Sequence, residues 1–148
     1  MLFQKINVEE LIKSIKKNKL SSYFFLDNLY IEYLTAYNSS SLFLDISFQI
    51  TNENNILLCP ITIEKKNNKK YLNFFGRPFF CIYKNIDKKL FKFFAQKIEE
   101  IIKKEQIEEL NFLIEKPFND KFEINSKLLE KNFIKKISNI KYINLELE

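Results

Sequence analysis

The stretch Leu42-Phe43-Leu44-Asp45-Ile46-Ser47-Phe48-Gln49-Ile50-Thr51 decides the fold class. Leu42, Leu44, Ile46, Phe48 and Ile50 alternate with Phe43, Asp45, Ser47, Gln49 and Thr51, a period of two held across the whole stretch. Successive side chains of a strand point to opposite faces, so this predicts a strand with one apolar and one largely polar face. Asn52-Glu53-Asn54-Asn55 follows as a turn, and Ile56 to Ile63 as a second strand, apolar on both faces. Pro60 lies inside it and has no N–H to give a ladder, so an edge or a bulge is expected there. Lys65 to Lys70 reads as a hairpin loop with Asn67-Asn68 at its tip, because Asn tolerates positive φ. Tyr71 to Phe75 is the third strand of an antiparallel meander.

Helices flank this meander. Asn7-Val8-Glu9-Glu10 has the form of a capping box, and Val8, Leu11, Ile12 and Ile15 then recur at helical spacing as far as Asn18. Asp27 or Asn28 caps a second helix to about Tyr37, with Leu29, Tyr30, Tyr33, Leu34 and Tyr37 as its apolar stripe. Asp87 caps a long helix to about Glu105, whose buried stripe is Leu90, Phe91, Phe94, Ile98, Ile101 and Ile102. A short strand is expected over Glu109 to Ile114, ended by Pro117. A short helix from Asn125-Ser126 to Lys131 and a last strand, clearest over Tyr142 to Leu147, complete the chain. The order is α-α-β-β-β-α-β-α-β. The expected class is α+β, one domain over residues 1–148 in which helices flank a mostly antiparallel mixed sheet.

Composition removes many mechanisms. The 148 residues are 46% hydrophobic and include 16 Phe and 7 Tyr, which supplies a core and excludes disorder as the main state. There is no His, hence no Ser-His-Asp or Cys-His catalysis and no His-bearing zinc site. The two Cys cannot form a four-cysteine site. A single Gly excludes the glycine-rich loops that cradle phosphates. The net charge is +5, but Arg77 is the only arginine among 24 basic residues, and Lys alternates with Glu along the helices. This argues against a nucleic-acid partner, since base and phosphate readers favour Arg. No apolar run reaches the length of a signal peptide or a membrane span. A cytoplasmic protein is therefore expected, with Cys59 and Cys81 as buried, reduced thiols.

Four local features, with the element order, resemble the acyltransferase fold of the GNAT superfamily. They are the aromatic lead Tyr23-Phe24-Phe25 into the helix ending at Tyr37, the strand Leu57-Leu58-Cys59-Pro60-Ile61-Thr62-Ile63, the loop Phe75-Gly76-Arg77-Pro78, and Tyr142-Ile143-Asn144-Leu145. More narrowly, the chain resembles the first half of FemAB-like proteins, the peptidoglycan aminoacyltransferases and their relatives. The resemblance implies transfer of an acyl or aminoacyl group to a small-molecule acceptor, in cell-envelope or surface-glycan biosynthesis. Acyl-CoA or an aminoacyl donor would be the co-substrate; the residues themselves call for no cofactor. Such proteins pair two GNAT-like subdomains, whereas this chain carries one and lacks the glycine-rich acyl-CoA loop. It is therefore expected to be half of an active unit, completed by a second GNAT-like subdomain or by a homodimer. The alternative is a non-catalytic binding or assembly domain that keeps the fold.

Gly76-Arg77-Pro78 is the candidate ligand loop. Gly would let backbone approach a ligand, Arg would grip a carboxylate or phosphate, and Pro would stiffen the loop. The competing reading is an ordinary tight turn. Tyr33, between Tyr30 and Tyr37, would line a ligand cleft, or else the stripe belongs to the core. Asp45 and Glu64 would lie near each other across the hairpin as a candidate acid–base pair; the competing reading is a pair of solvent-exposed sheet carboxylates. No residue is assigned as catalytic, and positioning would dominate any reaction. A deep pocket above a bulged strand would favour the enzyme; an exposed apolar face would favour the binding domain.

Overall fold

A computed structural model describes residues 1–20, 26–85 and 87–112. In chain order they form β1 (Leu2–Lys5), α1 (Val8–Lys17), α2 (Asn28–Tyr37), β2 (Leu42–Asp45), β3 (Phe48–Asn52), β4 (Asn55–Cys59), β5 (Thr62–Lys66), β6 (Lys69–Asn73), β7 (Ile82–Lys84), α3 (Lys88–Glu105) and β8 (Glu109–Leu110). The class is α+β. The short helix expected over 125–131 and the last strand expected within 134–147 lie outside the described residues, as does the aromatic lead at 23–25.

The helices start where their caps dictate. Asn7 accepts from the Glu10 N–H at 2.8 Å, while the Glu10 carboxylate accepts from the Asn7 N–H at 2.9 Å, which closes the capping box of α1. Asp27 caps α2 through the Leu29 N–H, and Asp87 caps α3 through the Leu90 N–H. Lys70 donates to the Glu105 carbonyl at 2.7 Å, satisfying an orphan acceptor in the last turn of α3.

The ten-residue alternation is not one strand. It breaks at Ile46-Ser47 into β2 and β3, and its partner breaks at Pro60-Ile61 into β4 and β5. The same register runs through both ladders (Phe48 opposite Cys59, Asp45 opposite Thr62), so the break shifts no residue. Pro60 is its cause, because it faces Ser47 without an N–H. Ser47 closes the gap from within: its hydroxyl accepts from the Ile61 N–H at 3.1 Å, and its own N–H turns to Asp45 at 2.9 Å. Beyond the break the hairpin changes neighbours. One half builds the sheet β1-β3-β4-β7, the other the sheet β2-β5-β6-β8, in which, among the described residues, β6 and β8 pair in parallel and the other strands antiparallel.

β1 and β7 were not expected from the sequence. Each is only three or four residues long and is held by partners far away in the chain, Leu2 opposite Thr51 and Ile82 opposite Leu58. So short a segment carries no readable period. α3 crosses one face of the first sheet, where Phe94 meets Phe48 with ring centroids 6.2 Å apart. α1 takes the other face, where Ser14 bonds to Gln49 at 3.2 Å. Leu11, Ile15, Phe48, Ile50, Leu57, Phe91 and Phe94 form the fully buried centre.

Candidate functional site

The loop singled out by its lone Gly and Arg is a two-residue hairpin turn. Phe74 and Arg77 exchange both backbone hydrogen bonds, at 2.7 and 2.9 Å. Phe75 and Gly76 between them have φ of 48° and 82°, the positive pair that a type I′ turn needs. A phenylalanine there is strained, and its ring is held against Phe43 and Phe74 with centroids 5.3 and 5.1 Å away. The close approach that requires glycine is made by the protein itself. A Cβ on Gly76 would lie 2.8 Å from Nδ2 of Asn38, the C-cap of α2. Asn38 is fixed by bonds to the Leu34 and Phe75 carbonyls at 2.9 and 3.3 Å. Gly76→Ala should therefore cost about 1–2 kcal/mol, read from chemical denaturation; an unchanged midpoint would contradict this turn geometry.

Beneath the turn lies a polar network that sequence reasoning undervalued. Glu64, expected on an exposed sheet face, is buried, at 6% exposure. Its carboxylate accepts from the Ser41 hydroxyl and from the Asn73 side-chain amide. Asn73 Oδ1 in turn accepts from the Thr62 hydroxyl at 3.2 Å and the Gly76 N–H at 3.2 Å, and the Thr62 hydroxyl takes the Phe75 N–H at 3.0 Å. The network ties the exit of α2 to β5, β6 and the turn. Its only sequence signal is the pairing of polar Thr62 and Glu64 on one face with Asn73. Asp45 does not join it. Its two oxygens accept from the Val8 and Ser47 N–H groups, both at 2.9 Å.

The other candidates separate. Arg77 is exposed, and its side chain makes no ion pair or hydrogen bond among the described residues. Tyr33 does not belong to the core. It is 55% exposed and lies between Tyr30 and Tyr37, with centroids 6.1 and 6.0 Å apart. Of the α2 side chains only Leu34 is buried, so the expected apolar stripe faces outward. Two hollows stand out among the described residues. A groove of roughly 180 Å³ runs between α3 and the break in the hairpin, floored by Ile46 and Ile63 and rimmed by Lys5, Lys97 and Lys104. A wider hollow of roughly 440 Å³ opens at the β5–β6 hairpin.

Cys59 and Cys81 are free and buried. Burial, followed by the hydrogen bond and charge of Cys81, raises the Cys59 thiol well above its ordinary pKa. It is held protonated, the opposite of what a nucleophile needs. No group of three or more potential metal ligands occurs among the described residues, and no helix among them is long and apolar enough to cross a membrane. Compared with known proteins, the chain matches no family model, no curated protein and no solved structure.

Proposed function

We propose that this chain is a binding or assembly domain, and that the aromatic face of α2 docks a second copy of it. One observation carries this reading: Leu29, Tyr33 and Tyr37 are 76%, 55% and 72% exposed along one helix. Tyrosines present large, stiff, amphipathic faces and are enriched at interfaces. Glu32 is the only charged residue in α2, within a chain of net charge +5. Each copy thus brings a single charged side chain to this helix, so a self-complementary pairing meets little like-charge repulsion at the contact itself. Light scattering at high concentration is expected to give a dimer. Tyr33→Ser combined with Tyr37→Ser should give a monomer with an unchanged circular-dichroism spectrum, since both side chains are exposed in the single copy and only the stabilisation by pairing is lost. A monomeric wild-type chain would overturn the reading.

A second reading is an acyl- or aminoacyltransferase-type domain of cell-envelope or surface-glycan biosynthesis. Its support is the succession of two helices, the broken meander, α3 and β8, with β8 returning parallel to β6; β1 and β7 are additions to the expected order. Arg77 would hold the donor. Arg77 lines neither the groove at the hairpin break nor the hollow at the β5–β6 hairpin, so this reading stands second. It gains if an acyl-CoA or aminoacyl donor raises the melting temperature and Arg77→Ala abolishes that rise.

A further inference from the structure

We propose that the β5–β6 hairpin, together with edge strand β2, is a docking surface for an anionic lipid bilayer. The hairpin has an unusual charge arrangement. Lys65 lies directly opposite Lys70, and Lys66 directly opposite Lys69. Like charges in facing positions destabilise a strand pair, so the arrangement works against the fold. The four lysines ring the 440 Å³ hollow. Lys70 reaches Glu105 at 3.8 Å, whereas Lys65, Lys66 and Lys69 make no ion pair among the described residues. The cluster is thus a concentrated positive field at a hairpin tip that a negative partner would neutralise.

Apolar side chains on the same surface say which partner. β2 pairs with β5 so that Leu42 faces Lys65 and Leu44 faces Ile63. Leu42 lines the hollow with the lysines. The two leucines continue the apolar face of Phe48 and Ile50, but at 74% and 58% exposure they project into solvent. Single-stranded nucleic acid would engage the lysines, yet it offers stacking faces suited to aromatic rings and leaves two leucines in water. A bilayer surface uses both groups. Headgroup phosphates meet the ammonium ions, and the leucines enter the boundary of the acyl chains. Lysine, a compact charge without a bidentate fork, suits a fluid layer of phosphates with no fixed geometry.

The test is co-sedimentation of the full chain with phosphatidylcholine vesicles, with and without phosphatidylserine. Binding is expected only where phosphatidylserine is present, and it should weaken as salt rises. Lys65→Glu with Lys66→Glu should lower binding by at least about tenfold. These changes turn both facing like-charge pairs into opposite-charge pairs, so the hairpin folds at least as well and lost binding is not lost structure. Leu42→Ser with Leu44→Ser should weaken binding severalfold at an unchanged melting temperature. Four results would each overturn the proposal: no vesicle binding, equal binding to both vesicle types, undiminished binding by the leucine variant, or retention of single-stranded DNA without retention of vesicles.

Discussion

Phe94→Ala is expected to lower the stability of the domain by about 3–5 kcal/mol. Phe94 is fully buried at the middle of α3. Its ring meets Phe48 on β3, Phe91 on its own helix and Phe112 beyond β8, with centroids 6.2, 5.5 and 5.9 Å away. It is therefore the side chain through which helix, first sheet and crossover strand share one core. Truncation removes the transfer energy of the ring and leaves a cavity that three stiff aromatic neighbours cannot fill. Native domains have only about 5–15 kcal/mol to lose, so the loss is a large fraction of the total. Urea titration measures it. Phe93→Ala is the control: Phe93 is half-buried, lies under the Lys97 ammonium at 5.3 Å, and should cost about 1 kcal/mol. Equal losses for the two variants would contradict this placement of the core.

Glu64→Ala should cost about 2–4 kcal/mol. The substitution strands two buried donors, the Ser41 hydroxyl and the Asn73 amide, and opens space under the Gly76 turn. Glu64→Gln keeps the shape and one acceptor oxygen. The Ser41 hydroxyl can rotate to accept from the new amide, so the cost should fall to about 1 kcal/mol. Because Asn73 holds the Gly76 N–H, the alanine variant should also speed amide exchange at Gly76, while the glutamine variant should not. Comparable losses in both variants would mean that the negative charge itself stabilises the site, rather than the hydrogen-bond geometry.

Much of this fold is legible in the chain. The three helices begin at Asn7, Asp27 and Asp87, as their capping chemistry requires, and α3 buries the assigned stripe from Leu90 to Ile98, while its last members, Ile101 and Ile102, are only half-buried. Asn67-Asn68 forms the hairpin tip with φ of 51° and 61°, because asparagine tolerates that conformation. These are local properties, fixed by neighbours within a few residues. The candidate site was less legible. Gly76 was visible as a special position, but whether ligand or protein makes the close approach depends on Asn38, 38 residues away. Tyr33 sits at a spacing that fits both a buried stripe and an exposed one. Only the placement of α2, with Leu34 alone turned inward, chooses between them.

The sequence by itself determined the class, the helix starts and the irregularity at Pro60, although the edge or bulge expected there is instead a break in the ladder that divides the meander between two sheets. All of these follow from backbone chemistry and the period of the side chains. Tertiary structure alone decided which apolar residues are covered. Phe48 and Ile50 are fully buried, Phe48 against Phe94 of α3, whereas Leu42 and Leu44 stay exposed, although all four occupy alternate positions of one stretch. It likewise decided that Glu64 is buried and that Asp45 accepts from the Val8 N–H at the start of α1 and from the Ser47 N–H at the hairpin break. Burial is a relation between elements brought together by folding, and the period of a single strand fixes the face but not what lies above it.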